Sequence, residues 1–330
     1  MKFSVTKLAV LGLTVALAAC QDSSAPTDQI APPSFAVKKQ TPLTGTPTQR
    51  AAQLAERINA RLAAKHSKFR LTGASFFTVG KGVPPFRLRV FGARWTKRDL
   101  TYLLDVSDYP PGSNAAAVTT ALVNSYETWD AIPRVNLNLT RVADTDPNPD
   151  VLDAIVLDGA GNCVDIVDQS SDALVSFDPA TGNFDLAPFA DNVVGGWLSN
   201  DYFAKCLGSG DIIAVTWTFT SGDADGDNFA DISYNEQYGN NNWQFVTTGS
   251  VFLDFDGPFD IQSVFVHEVG HTLGLGHTGG PNANQPFKLH PNGRVFTPEA
   301  IMNPFDLGGE KRSLFPLDVS SIKTLYSRSH

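Results

Sequence analysis

Hydrophobic residues recur at helical spacing in four stretches of the chain. Leu54, Ile58 and Leu62 lie four residues apart, so residues 47–65 are predicted to form a helix that buries one face. Thr46 precedes this stretch and is a suitable N-cap. Patterns of the same kind predict three further helices, at residues 114–129, 261–273 and 317–326.

Strand-like patterns occupy other stretches. The segment VNLNLTRV alternates apolar and polar positions, which is typical of a half-buried strand. In contrast, residues 159–210 show no such pattern, and we expect them to form a long irregular insertion. Together the helices and strands predict an α/β (α+β) fold with a mixed sheet. The predicted strands are residues 100–106, 135–142, 153–158, 211–220 and 230–236.

The composition is that of a globular protein with an acidic balance. The 330 residues suffice for one large domain or two small ones, and 42% of them are hydrophobic. The formal net charge is −9, and Lys and Arg are not clustered anywhere in the chain. This charge distribution argues against nucleic acid as a partner.

The N-terminus has the features of an export signal. Lys2 and Lys7 are followed by an apolar run that is too short to span a bilayer, so residues 1–19 are predicted to be a signal peptide. The run ends in LAAC, which resembles a bacterial lipobox with Cys20 as the lipidated residue. Gln21 in place of Asp favours the outer membrane. The alternative is an ordinary signal peptide that is cleaved nearby, with export to the periplasm or the exterior.

The residues after the signal divide into two parts. Residues 20–46 are rich in Ser, Thr, Pro, Gln and Ala, which predicts a flexible tether. Residues 47–92 contain the first predicted helix and are either a removable pro-segment or an accessory element. Two cysteines remain, Cys163 and Cys206, and in an exported chain they are expected to form a disulfide. Two buried free thiols are the alternative.

The segment HEVGHTLGLGH carries the strongest chemical signal. His267 and His271 are four residues apart, so a helix places both imidazoles on one face. Glu268 points about 100° away from that face, and it can act as a base without being a ligand. Gly274 permits a sharp turn that returns His277 to the same ion. Three imidazoles and one open position are typical of a catalytic zinc site.

The wider motif makes a chance match improbable, although HExxH alone is weak. Zinc fits a set of three nitrogen ligands, and similar sites accept other divalent ions. The alternative is a helix that carries three histidines and no metal. Asp260 is a suitable N-cap for the helix.

The extended motif resembles the metzincin metalloendopeptidases, whose signature includes a later methionine turn. The chain has two methionines, of which one is the initiator and the other is Met302 in AIMNPF. Met302 therefore resembles the methionine of that turn. Pro304 lies where some metzincin groups carry a zinc-binding tyrosine, which favours the matrixin group.

The resemblance to matrixins extends over residues 93–327. It is carried by DLTYLLDVSDYPP, SYETWDAIPRVNLNLTRV, FDIQSVFVHEVGHTLGLGH and LFPLDVSSIKTLYS. It implies a zincin-like fold, with a twisted mixed sheet, an active-site helix and a small C-terminal subdomain after Gly274. It also implies a catalytic domain with Met302 below the metal. The cysteine switch and the second zinc site of many animal matrixins are absent from the sequence, and the 159–210 insertion has no counterpart.

A second metal site is predicted at DADGDNFAD. Asp223, Asp225, Asp227 and Asp231 occupy positions 1, 3, 5 and 9 of a calcium-loop pattern. Four carboxylates so close together repel one another without a cation. The full EF-hand pattern is not met, and a solvated acidic turn is the alternative.

The sequence thus predicts a monomeric, exported zinc endopeptidase that cleaves proteins or peptides and has structural calcium. His267, His271 and His277 would bind zinc, and Glu268 would act as general base and acid. Two alternatives stay open. One is a catalytically silent surface lipoprotein, and the other is an enzyme that hydrolyses a non-peptide amide.

Overall fold

The structure is a computed structural model, and part of the chain is described in it. Cys20, Asp223, Asp225, Asp227 and Pro304 lie outside the described residues, as does the predicted signal peptide. The described ranges are 42–64, 67–79, 86–87, 93–106, 109–144, 155–157, 163–165, 175–178, 183–186, 190–199, 201–222, 230–248, 258–278, 300–303, 305–306 and 310–326.

All four helices predicted from the sequence are present, with bounds that agree within one or two residues. In the described ranges, no helix combines the length and the apolar character needed to cross a membrane. A short π-helix, which the sequence did not indicate, occupies Tyr202–Leu207. The α-helices are α1 (Pro47–Ala64), α2 (Ala115–Asp130), α3 (Ile261–Thr272) and α4 (Pro316–Tyr326).

Fifteen strands are assigned within the described residues. They are β1 (Arg70–Val79), β2 (Phe86–Arg87), β3 (Ala93–Arg94), β4 (Asp99–Leu104), β5 (Asn138–Arg141), β6 (Ile155–Leu157), β7 (Cys163–Asp165), β8 (Val175–Asp178), β9 (Asn183–Leu186), β10 (Asn192–Leu198), β11 (Ile212–Thr220), β12 (Ala230–Asn240), β13 (Phe245–Val246), β14 (Phe259–Asp260) and β15 (Phe305–Asp306).

The main sheet has mixed strand directions. Its order is β15-β1-β11-β12-β10-β4-β5. Strand β10 runs parallel to both of its neighbours, β12 and β4. Strand β11 is antiparallel to both β12 and β1, whereas β15 is parallel to β1. The prediction of a mixed α/β fold is therefore confirmed at this level.

The prediction of an irregular insertion over 159–210 is wrong. That region contains β10, which lies between β4 and β12 in the main sheet, as well as the shorter strands β7 to β9. Strand β10 is buried on both faces, with Val193 in one core cluster and Val194 and Trp197 in the other. A strand with two covered faces shows no polar alternation, which is why the sequence pattern did not reveal it.

Helical elements cover both faces of the sheet. Helices α2 and α3 pack on one face, in a cluster that includes Leu122, Trp129 and Val264. Helix α1 and the π-helix share a second cluster with Phe76 and Trp217 of the sheet. Strand β1 belongs to this layered core, although its residues precede the matrixin-like region recognised in the sequence.

Candidate metal centre

Helix α3 holds two of the three histidines in a buried position. Its first turn is capped by Asp260, whose Oδ2 accepts a hydrogen bond from Ser263 N at 2.9 Å. The Asp260 carboxylate also pairs with the Arg312 guanidinium. All twelve residues of α3 are buried, including His267 and His271. The helix therefore presents both imidazoles one turn apart from a fixed backbone.

A tight turn after α3 brings the third histidine to the other two. Gly274 has φ +89°, and a Cβ at this position would collide with the carbonyl oxygen of Ala93. Only glycine combines this conformation with such a close backbone approach. Leu275 N then donates to the Gly270 carbonyl at 3.0 Å, which closes the turn and directs His277 back towards α3.

The three Nε2 atoms converge on one point. They lie 3.0 Å apart for His267–His271, 3.0 Å for His271–His277 and 3.2 Å for His267–His277. A tetrahedral zinc ion with bonds of about 2.0–2.1 Å would hold its nitrogen ligands about 3.3 Å apart, so the observed triangle is close to that size. This cluster is the group of metal-ligand side chains found among the described residues.

Backbone carbonyl groups set the tautomers of two histidines. The Nδ1 atom of His267 lies 2.7 Å from the Ile301 oxygen, and Nδ1 of His271 lies 2.8 Å from the Leu275 oxygen. Because a carbonyl oxygen is only an acceptor, each Nδ1 must carry the proton, and each Nε2 presents a lone pair. Converging lone pairs repel one another unless a cation lies between them, so the donor set fits a divalent metal.

Glu268 follows His267 in the chain, and its carboxylate is excluded from solvent. One of its oxygens accepts a hydrogen bond from Thr216 Oγ1, while Oε1 has no hydrogen-bond partner among the described residues. Burial raises the pKa of Glu268 to about 8, and the Thr216 hydrogen bond opposes this shift. Burial likewise lowers the pKa of His267 to about 3 and keeps its imidazole neutral, as metal binding requires.

Met302 lies directly against α3 at Gly270. A Cβ at Gly270 would collide with the Met302 sulfur, so the absence of a side chain there allows the contact. The Met302 carbonyl accepts a hydrogen bond from Thr278 N at 2.8 Å, which ties the turn to the residue after His277. Met302 is fully buried.

A buried aspartate holds the Met302 turn in place. Asp318 Oδ2 accepts hydrogen bonds from Ile301 N at 2.8 Å and from Phe315 N at 2.9 Å. Its Oδ1 atom accepts from Met302 N at 3.2 Å. The sequence reasoning missed this residue. The available signal was an acid in the first turn of a predicted helix, where the side chain can accept backbone N–H groups.

Strand β1 also contacts the histidine cluster, which the sequence reasoning did not foresee. The Phe77 ring stacks on the His267 imidazole, with centroids 4.2 Å apart and an interplanar angle of 28°. On the adjacent strand β11, Thr216 lies opposite Ser75 and bonds Glu268. The sequence offered no distinct signal for Thr216, because β11 also contains Thr218 and Thr220.

The other predicted site residues are only partly described. Asp231 is buried on β12, next to Arg94 of β3 in the strand register, and its three partners in the predicted calcium loop lie outside the described residues. A disulfide joins Cys163 to Cys206, with the Cα atoms 5.4 Å apart. It links β7 to the π-helix.

The fold and the site define a mixed α/β protein with a three-histidine cluster, of which two members are buried, and a buried carboxylate next to the first histidine in sequence. No protein-family model matches the chain, and no curated protein is significantly similar to it.

Proposed function

We propose that the protein is a zinc-dependent endopeptidase of the metzincin type, closest to the matrixin group. One observation carries the proposal. Three Nε2 atoms lie within 3.2 Å of one another, and Glu268, next to His267 in sequence, has a buried carboxylate oxygen with no partner among the described residues. A structural zinc site has no use for such a carboxylate, whereas a hydrolytic site needs a base of this kind.

The positions of the side chains indicate the role of each residue. His267, His271 and His277 would hold zinc, which supplies Lewis-acid polarisation of a carbonyl group and acidifies water. Glu268 is not part of the ligand cluster and bonds Thr216 instead, so it would accept the proton of the attacking water. It would then deliver that proton to the leaving amine, which completes peptide hydrolysis.

The surroundings of the site support the metzincin assignment. Gly274 makes the turn between the second and third histidines, and Met302 lies against the same helix. Helix α4 supplies Asp318, which holds the Met302 turn, and it follows that turn in the chain as the resemblance implies. The proposal also includes a small C-terminal subdomain that begins after Gly274.

Three further attributes belong to the same proposal and have separate tests. Lipidation at Cys20 predicts an N-terminal mass increase and partition into the outer membrane. Calcium at residues 223–231, bound in part through Asp231, predicts that EGTA lowers the melting temperature. A monomer is expected by sedimentation. An unmodified N-terminus, an unchanged melting temperature or a stable dimer would each contradict one attribute without affecting the zinc site.

The function is tested with residues 21–330 loaded with zinc and assayed on casein and a peptide library. Glu268→Gln should retain one zinc per chain and lose activity by about 10²–10⁴-fold, because it removes the base and keeps the ligands. Glu127→Gln, an exposed acid on α2, is the matched control and should behave as the wild type. Chelation of zinc should abolish hydrolysis.

Two outcomes contradict the proposal. One is equal hydrolysis by the wild type and Glu268→Gln. The other is stoichiometric zinc without hydrolysis of any peptide, which would favour a silent binding protein or a non-peptide amidase. The assay includes the Phe77→Ala chain described below, so that a covered site is not mistaken for an inactive one.

A further inference from the structure

Most of the metal centre is closed to solvent, although His277 is partly exposed. Glu268 has 0% of its surface exposed, and His267 and His271 have 1% and 3%. A peptide bond cannot reach a base with no accessible surface. Part of the surrounding protein must therefore move before an extended substrate can bind.

Strand β1 lies directly over this site. It pairs antiparallel with β11 along its whole length, from Arg70 opposite Thr220 to Thr78 opposite Ile212. Within this pairing Ser75 lies opposite Thr216, which bonds the Glu268 carboxylate. The side chain two residues further on, Phe77, stacks on the His267 ring.

A second backbone edge holds β1 from the other side. Strand β15 begins three residues after Met302 and pairs in parallel with Thr78 and Val79 of β1. The end of β1 nearest the histidines therefore lies between β11 and β15. Without β1, both edges would present unpaired N–H and C=O groups on either side of the metal centre. An extended peptide is the ligand whose backbone satisfies two such edges.

We propose that β1 is an intramolecular occupant of the peptide-binding groove, and that the chain is latent while Phe77 covers the metal centre. The inference rests on the proposed endopeptidase function. It requires no thiolate, in agreement with the absence of cysteine between residues 21 and 162. A substrate peptide would take the place of β1 between β11 and β15, antiparallel to β11.

The strand is anchored by helix α1 on the face away from the metal. Asn59 accepts a hydrogen bond from Leu71 N at 2.7 Å and donates one to the Leu71 carbonyl at 2.9 Å. Phe76, next to Phe77 in sequence, is buried in the core cluster that contains α1. The occupant thus has one face fixed to α1 and one face over the site.

The first experiment compares Phe77→Ala with Phe203→Ala in the zinc-loaded chain. Both changes remove a buried phenyl ring, but Phe203 lies in the π-helix, outside the metal centre. Two quantities are measured below the melting temperature of each variant. They are the rate at which 1,10-phenanthroline removes zinc and the kcat/KM for a peptide substrate. Phe77→Ala should raise both rates about tenfold or more, since it increases the population of the open site. Phe203→Ala should leave them within about twofold of the wild type.

A second measurement stays decisive if Phe77→Ala fails to fold. Gly73 of β1 lies opposite Thr218 of β11, and both are partly exposed, so Gly73→Cys with Thr218→Cys allows a cross-strand disulfide. The oxidised form should release zinc and cleave peptide about tenfold more slowly than its reduced form, because β1 can no longer leave. Wild type treated with the same reductant controls for the native disulfide.

The two proposals fail in different ways. Equal zinc-release rates in Phe77→Ala and Phe203→Ala, or in the oxidised and reduced double-cysteine chain, would overturn the latency of β1 whatever the hydrolysis. If zinc release follows the prediction but no variant cleaves any peptide, β1 still covers the centre and the peptidase function is wrong. A drop in kcat/KM for Phe77→Ala would show that Phe77 orients His267 and does not block the site, which also overturns latency.

Discussion

The carbonyl oxygen of Ile301 lies 2.7 Å from Nδ1 of His267, so one peptide group fixes the first histidine of the candidate metal centre. The amide N–H of Ile301 is itself held, because it donates to Asp318 at 2.8 Å. A buried carboxylate on α4 is thereby connected to the metal centre through one residue. This chain of bonds makes Asp318 a positioning residue for His267.

Asp318→Asn should weaken zinc binding and leave the fold intact. An amide can replace only part of the carboxylate's acceptor capacity for the Ile301, Met302 and Phe315 N–H groups. Loss of such an outer contact typically reduces metal affinity about 10–100-fold. Affinity is measured by competition with a chelator of known strength, and Ser320→Ala, at an exposed position of the same helix, is the control. An unchanged zinc affinity would show that the Met302 turn holds its position without Asp318.

Gly270→Ala should disturb the contact between α3 and the Met302 turn. The new methyl group would collide with the Met302 sulfur and lie 2.8 Å from Trp129 Cζ2, so we expect a loss of about 1–3 kcal/mol in unfolding free energy. Met302→Ala leaves a cavity and is destabilising by itself. In the double variant the methyl group occupies part of that cavity, and the combined loss should be smaller than the sum of the two. Additive losses in urea denaturation would contradict the direct contact.

The sequence predicted the helices and the site better than it predicted the sheet. Helix α1 has an apolar stripe, and α3 carries the HExxH spacing and the Asp260 cap. The histidine cluster needs only the four-residue spacing and the Gly274 turn, which are local properties. Local patterns of this kind are visible in one sequence without an alignment.

The parts that were missed depend on distant contacts. Strand β1 contains Gly73 and small polar residues, and it becomes a strand because β11 and β15 pair with it. Strand β10 is covered on both faces and has two glycines, so its sequence carries no alternation. The contacts of Phe77 and Asp318 with the site likewise link residues that are far apart in sequence. A pattern search along the chain cannot detect such pairs.

The disulfide between Cys163 and Cys206 should contribute measurably to stability. The bond closes a loop with a sequence separation of 43 residues. The chain-entropy relation gives about 4 kcal/mol for a loop of this length, and removal of native disulfides typically costs about 2–5 kcal/mol. Cys163→Ala with Cys206→Ala should lower the unfolding free energy by that amount, and reduction of the wild type should give the same loss. A reductant effect of equal size in the double-alanine chain would assign the loss to another cause.

Glu268 should make the stability of the metal-free protein fall as the pH rises from 6.5 to 8. Its pKa is raised by burial from 4.5 to about 8, so in this window the folded state keeps a proton that the unfolded state has released. Stability that depends on a raised carboxyl pKa is present below 4.5 and is lost as pH approaches 8, at up to about 1.4 kcal/mol per pH unit. His267 has the opposite dependence, because its lowered pKa costs stability only below its ordinary value of 6.5.

Of these two groups, only Glu268 changes the stability between pH 6.5 and 8. The unfolding free energy of the wild type should therefore fall by about 1–2 kcal/mol over this range. Glu268→Gln has no proton to release at this position, so its unfolding free energy should not show this fall with rising pH. Urea denaturation of both chains after zinc removal gives the difference between their unfolding free energies. The titration of all other groups cancels in this difference. Zinc should abolish the wild-type slope as well, because a nearby cation stabilises the carboxylate and returns its pKa towards the ordinary value. Parallel slopes for the two chains without zinc would mean that Glu268 is solvated in the folded protein.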